Sequence, residues 1–336
     1  MPFDAIKESG LWLFTTLPPR PSPTERPPPS VFRPISTKME EESYTKTPTL
    51  GCTETTLQIP MRDGYSHELR IVHPPCPSSK TSDQDNENET ENTKTPLILL
   101  IHGGGFIVGT NKQLIQFARL FAVLYDLTVA LPSYRLAPEH KLSVGTEDVW
   151  DTLLYLREHS QSDPINADLS LGFIVAGVSA GANIASNTVY RAVREFPGEL
   201  WVSRTQNADA PIMGTKDMAW IEEMLGAEHT VDYCPFVDIS SFKGMPKSYI
   251  QVCGMDPLRD DGIIYEKVLR EHGVDTRFDA YKGVPHAVWA VFPKLRVSQR
   301  AVLDVVREMG WLLARVLDEA RLEWAAGEME IVVDAS

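Results

Sequence analysis

The sequence predicts an α/β fold with a mostly parallel central sheet flanked by helices. Three observations carry that expectation. Short apolar runs recur at residues 97–101 and 171–176, and a further strand-like stretch at 248–253, too short for core helices and suited to buried strands. Stretches with apolar residues at helical spacing, such as 113–125, 144–157 and 182–196, follow such runs in alternation, the pattern of a sheet with helices on both sides. The runs end in loops of Gly, His, Ser and Asp, and in open α/β sheets active groups collect beyond the carboxyl ends of strands.

Taken in order, residues 8–14 read as a short amphipathic helix. Residues 17–34 hold eight prolines, which excludes a regular helix or central strand there. Residues 1–53 are thus expected to be an N-terminal extension, serving as cap or linker. It would shield or form part of a pocket, or serve as a polyproline ligand for a partner. The main domain is expected over 54–325, with 326–336 as a tail. Alternating residues over 54–60 and 67–72, joined by a turn at Arg62-Asp63-Gly64, predict a β-hairpin. Residues 77–95 are polar with almost no apolar side chain and are expected to form a disordered loop. The triplet Asn88-Glu89-Thr90 within it fits a glycosylation acceptor or chance in an Asn-rich loop. The run 97–101 opens into His102-Gly103-Gly104-Gly105-Phe106, and a further strand is expected over 128–131. After the helix at 182–196 the reading weakens, and 197–247 are expected to supply a cap insertion. Strands return at 248–253 and 276–281, with helices expected over 263–271 and roughly 295–322.

The 336 residues carry a net charge of -14, which disfavours nucleic acid or an anionic membrane as the main partner. No run approaches eighteen apolar residues, so no membrane span is expected. The start, with Asp4 and Glu8, lacks the pattern of a secretory signal. Cys52, Cys76, Cys234 and Cys253 are far apart without C-x-x-C spacing, and read as free thiols of a cytoplasmic protein.

The chemistry centres on Gly177-Val178-Ser179-Ala180-Gly181. A strand that turns abruptly into a helix with serine at the apex exposes Oγ, and small neighbours permit the strained turn. Serine needs a base to take its proton, and His286, in the loop after the last strand, is the best placed of the eight histidines. Asp256, just past the preceding strand, would orient that imidazole, and the chain order Ser179, Asp256, His286 fits a strand-end triad. Amides of Gly104, Gly105 and Ala180 would form the oxyanion hole. Gly103, Gly177 and Gly181 would support these turns. His102 lacks partners at metal-ligand spacing and is expected to anchor the Gly-rich loop, so no metal and no cofactor is called for.

His102-Gly103-Gly104-Gly105-Phe106, Tyr134-Arg135-Leu136-Ala137-Pro138-Glu139, Gly177 through Asn183, Gly254-Met255-Asp256-Pro257-Leu258-Arg259-Asp260 and Pro285-His286 together resemble the hormone-sensitive-lipase-like family of α/β-hydrolase esterases. The resemblance runs from about residue 55 to the final helix. It implies an eight-stranded, mostly parallel sheet, a helical cap from the N-terminus and residues about 197–247 over an acyl pocket, and cofactor-free hydrolysis of carboxylic esters. The sequence departs from the family pattern at Val178, where acidic residues are frequent, and at Ala182, where a second glycine is common. The family's strand after the elbow helix also has no clear counterpart: either residues 200–203 serve as that strand or the sheet is locally incomplete.

Three functions fit this reading. The first is a serine ester hydrolase acting through an acyl-enzyme on a small or medium uncharged ester. The second resolves the same acyl-enzyme with another nucleophile, as an acyltransferase or cyclase of a biosynthetic pathway. The third is a non-catalytic ligand receptor, since the resemblance includes plant hormone receptors that have lost the histidine, although His286 is retained here.

Overall fold

The computed structural model describes residues 28–75, 94–196, 202–208 (as backbone), 224–225 and 242–333. Eight strands form one sheet: β1 (Thr53–Pro60), β2 (Ser66–His73), β3 (Leu97–Ile101), β4 (Thr128–Pro132), β5 (Phe173–Val178), β6 (Val202–Ala208), β7 (Ser248–Cys253) and β8 (Thr276–Tyr281), in the order β1-β2-β4-β3-β5-β6-β7-β8. The expected hairpin is the antiparallel β1–β2 pair, and β2 joins β4 antiparallel. All pairings from β4 to β8 are parallel.

Alternation of side chains across the sheet explains why β3 and β5 are apolar throughout. Leu97, Leu99 and Ile101 of β3 enter one core with Phe173, Val175, Ile250 and Val252. Ile98 and Leu100 enter the opposite core with Ile174, Ala176 and Tyr249. Both faces of each strand are therefore removed from water. The first core is closed principally by two long helices over Leu142–His159 and Ala180–Glu195, whose Leu153, Leu156, Ile184 and Val189 face the sheet. The second is closed by helices over Ile115–Tyr125, Arg296–Leu313 and Glu319–Glu328 through Phe121, Val306, Met309 and Leu322.

With the remaining pieces the helices number, in chain order, α1 (Pro29–Lys46), α2 (Ile115–Tyr125), α3 (Leu142–His159), α4 (Ala180–Glu195), α5 (Arg259–Glu271), α6 (Val288–Val291), α7 (Arg296–Leu313) and α8 (Glu319–Glu328). Three depart from the sequence expectation. The end of the proline-rich stretch is helical: Pro29 stands at the start of α1, where a missing N–H costs nothing because that donor has no intrahelical partner. Pro34 lies inside the helix, at the cost of one backbone hydrogen bond. The terminal helix is two helices, because Ala314 takes a left-handed conformation at φ 53° and Asp318 caps α8 by accepting from the amides of Ala320 and Arg321. The α5 helix begins at Arg259, so Asp260 and Asp261 occupy its first turn, where acidic groups meet the positive end of the helix dipole.

The strand after the elbow helix is present. β6 lies in register between β5 and β7, with Phe173 opposite Val202 and Arg204 opposite Ser248. The sheet is complete, and the segment read as cap from residue 197 opens with a sheet strand. Its polar residues, Ser203, Arg204, Thr205, Gln206 and Asn207, hid it from a search for apolar runs. The rest of that segment but for residues 224–225 and 242–247, the loop at 77–95 but for its last two residues, the expected helix at 8–14, Cys76 and Cys234 lie outside the described residues. Cys52 and Cys253 take part in no disulfide, and burial pushes the Cys52 thiol up to about 12, which keeps it protonated. Among the described residues no helix is long and apolar enough to cross a membrane.

Leu153 is fully buried between α3 and the sheet, so Leu153→Ala is expected to lower unfolding stability by about 2 to 5 kcal/mol, read as a shift in the chemical denaturation midpoint.

Candidate active site

Ser179 stands at the end of β5 and caps α4, with φ 56° and ψ −123°. This conformation is costly for a non-glycine residue, and the neighbouring glycines are what make it reachable. A Cβ on Gly177 would stand 2.2 Å from the carbonyl oxygen of Gly181, and one on Gly181 would stand 2.3 Å from the carbonyl oxygens of both Ile101 and His102. Strand β5, helix α4 and the end of β3 therefore meet backbone to backbone. The second glycine missing at Ala182 leaves no gap, since Ala182 is buried.

The Gly-rich loop runs beside the serine: a Cβ on Gly103 would lie 3.1 Å from Ser179 Cβ. Gly104 and Gly105 have φ of 114° and 61°, and the Gly104 carbonyl accepts from the amides of Ile107 and Val108 at 3.0 Å each. The loop thus curls back on itself, a path that a side chain at Gly104 would block, because Val108 O would be 2.1 Å from its Cβ. His102 is buried, its Nδ1 hydrogen-bonded to the Gly103 carbonyl at 2.8 Å, and burial pushes its ring down to about 4. Neutral imidazole in that position donates from Nδ1 to the loop's own backbone. Tyr134 stacks on the ring with centroids 4.2 Å apart and donates its hydroxyl to the His102 carbonyl. Arg135 next to it is held by Asp148. The Tyr134 to Glu139 segment thus buttresses the loop, a role that its resemblance to a family motif did not specify.

Asp256 and His286 come from two loops locked together. Gly254 N donates to the Tyr281 carbonyl at 2.7 Å and Met255 N to the Val284 carbonyl at 3.0 Å, which joins the loop after β7 to the loop after β8. Asp256 is buried, and its Oδ1 accepts from the Leu258 amide at 2.8 Å. Its Oδ2 lies 3.7 Å from His286 Nδ1. His286 Nε2 lies 3.1 Å from Ser179 Oγ. The structure therefore brings Ser179, His286 and Asp256 into one chain of contacts, with the carboxylate contact longer than a hydrogen bond, as such contacts often are without substrate. Burial disfavours the imidazolium and holds His286 well below its ordinary pKa of 6.5, so the ring is neutral and able to accept the serine proton.

Two residues that sequence reasoning passed over touch this machinery. Gly103 N donates to Gln113 Oε1 at 2.8 Å, and Arg33 of α1 donates to the Ile107 and Ala137 carbonyls at 2.8 and 2.7 Å. Gln113 opens a helical stretch whose period marks only its apolar residues, Arg33 belongs to no periodic pattern, and only the folded chain brings the two to the loop.

A sheet of this order, with a strained serine at the end of β5 and its partners after β7 and β8, defines an α/β-hydrolase architecture. Residues 98–290, more than half of the chain, match a family described by the alpha/beta hydrolase fold, and the chain belongs to that family, to which the hormone-sensitive-lipase-like resemblance pointed. A fission yeast AB hydrolase superfamily protein is 27% identical over 290 residues, covering 79% of this chain and 81% of the relative. The Mycobacterium tuberculosis esterase LipI is 34% identical over 200 residues, 54% of this chain and 62% of its own length. Among solved structures, a vibralactone cyclase superposes with a TM-score of 0.76 at 23% identity, over 90% of this chain and 94% of that one, which establishes likeness of fold.

The contacts at Gly181 involve backbone on both sides. Gly181→Ala is therefore expected to cost at least about 1 to 3 kcal/mol of stability and to abolish covalent labelling of Ser179 by a fluorophosphonate, measured beside the melting temperature.

Proposed function

We propose that this protein is a serine ester hydrolase in which Ser179 is the nucleophile, His286 the general base and Asp256 the group that orients it. The observation that carries the reading is the 3.1 Å contact from a neutral His286 to a serine held at φ 56°. A hydroxyl so placed attacks an ester carbonyl as its proton passes to Nε2. Oxygen then carries the negative charge of the tetrahedral intermediate, for which the amides of Gly104, Gly105 and Ala180 are the donors, assisted by the positive end of α4. Collapse returns the proton from His286 to the leaving alcohol and leaves an acyl-enzyme. Water activated by the same ring releases the acid. No step calls for a metal or a cofactor. The named esterase among the relatives supports an ester as substrate, and the chain's negative charge favours an uncharged one. Residues of the N-terminal segment and of 209–247 would complete the acyl pocket as a cap.

On p-nitrophenyl esters of increasing acyl length, Ser179→Ala is expected to lower kcat by at least about 10⁴-fold and Asp256→Asn by about 10² to 10⁴-fold. Equal turnover by wild type and Ser179→Ala, both folded by circular dichroism, would overturn the hydrolase reading. Labelling of Ser179 by a fluorophosphonate without ester turnover would instead favour a transferase or cyclase.

The pH dependence has a defined sign. The base acts as neutral imidazole, and burial keeps it neutral below the ordinary value of 6.5. The plateau of kcat/KM, which reports the free enzyme, is therefore expected to extend below pH 6.5 and to fall only in more acidic buffer. An acid limb centred at or above 6.5 would contradict this.

A further inference from the structure

Helix α1 reaches the Gly-rich loop through one amide side chain. Gln113, just before α2, accepts from the Gly103 amide through Oε1 at 2.8 Å. That contact turns its nitrogen away from the loop, toward Glu40 of α1, whose Oε1 lies 3.4 Å from Gln113 Nε2. Glu40 is fixed in turn: Oε2 accepts from the Thr110 hydroxyl at 2.6 Å, and Oε1 from the Ser36 hydroxyl at 3.4 Å. An ionised carboxylate only accepts hydrogen bonds. A Gln113 amide flipped end for end would set its carbonyl against Glu40 and its NH2 against the Gly103 N–H, so both contacts would be lost together. Glu40 therefore permits one orientation of Gln113, the one that holds the Gly103 amide.

Gly103 is the hinge between strand and oxyanion loop. It packs against Val178 O and Ser179 Cβ, where an added Cβ would stand at 2.7 and 3.1 Å, and its carbonyl carries the His102 hydrogen bond. The same helix α1 also grips the far side of the loop through Arg33, whose Nε donates to the Ile107 carbonyl. Phe106 and Ala137, between these two grips, are joined by the Ala137 amide donating to the Phe106 carbonyl at 2.9 Å.

Resting on the hydrolase reading above, we propose that Gln113, oriented by Glu40, is a positioning residue that sets the oxyanion loop against Ser179, and that α1 thereby couples to turnover. Gln113 meets no reacting atom. Its effect falls on donors whose value depends on their placement against the developing oxyanion, so it belongs to kcat and leaves KM nearly unchanged.

The test exploits the direction of the hydrogen bonds. Gln113→Glu keeps an acceptor for Gly103 but opposes a second carboxylate to Glu40. Adding Glu40→Gln restores a donor between the two side chains, and its amide oxygen still accepts from Thr110. With p-nitrophenyl butyrate, Gln113→Glu and the acceptor-free Gln113→Leu are each expected to lower kcat about tenfold or more while KM changes less than about twofold. The Glu40→Gln/Gln113→Glu double variant is expected to return to within about threefold of wild type. Melting temperatures are read beside each assay. Wild-type kcat in both Gln113 variants, or a double variant no more active than Gln113→Glu alone, overturns the assignment. A wild-type chain that neither turns over the ester nor takes a fluorophosphonate at Ser179 overturns the parent reading and this one with it. An active wild type with unchanged variants overturns only the role of Gln113.

Discussion

The structure depends on a steric constraint: three backbones meet at the serine with no room for a Cβ between them. The end of β3, the turn after β5 and the first turn of α4 approach so closely that Gly177 and Gly181 could carry no side chain without displacing a carbonyl oxygen. This contact places Ser179 at positive φ and brings the Gly-rich loop alongside it. The strain at one residue is offset by the packing of the apolar strands beneath it, which are buried on both faces. A rigid sheet thus supplies the precision that a loop alone would lack.

Around that contact the remaining parts are held by polar locks of modest individual strength. His102 closes on its neighbour's carbonyl and is stacked by Tyr134. The loops carrying Asp256 and His286 are tied to each other by two backbone hydrogen bonds. Each such bond is worth about 0.5 to 1.5 kcal/mol net, too little to build a fold but enough to choose among positions of a loop. Burial does the complementary work at His286, where exclusion of water keeps the ring uncharged.

Much of this was legible in the sequence, for identifiable reasons. Strands buried on both faces announce themselves as unbroken apolar runs, so β3 and β5 fall where the sequence predicts. The glycines and the serine are legible because only those residue types tolerate the turn. β6 was obscured because five consecutive polar residues occupy it, and pairing on both sides, not composition, makes it a strand. The start of α1 was misread because proline is hostile to helix interiors yet welcome at a first turn. The split of the last helix turns on the left-handed conformation of Ala314, a residue whose identity gives no warning of it. Gln113 and Glu40 were invisible since their meeting joins segments far apart in the chain.

The position of β6 has a consequence for how the molecule can come apart. The chain divides into a portion that carries Ser179 and the Gly-rich loop, on β3 and β5, and a portion that carries Asp256 and His286, after β7 and β8. In the sheet these two halves share no direct backbone pairing, and every ladder between them passes through β6. With adjacent strands about 4.8 Å apart, β5 and β7 stand roughly 10 Å from one another. β6 is thus a seam as well as a spacer. If this strand withdraws, each half retains its own pairings while Ser179 and His286 lose their common frame, so inactivation can precede global unfolding.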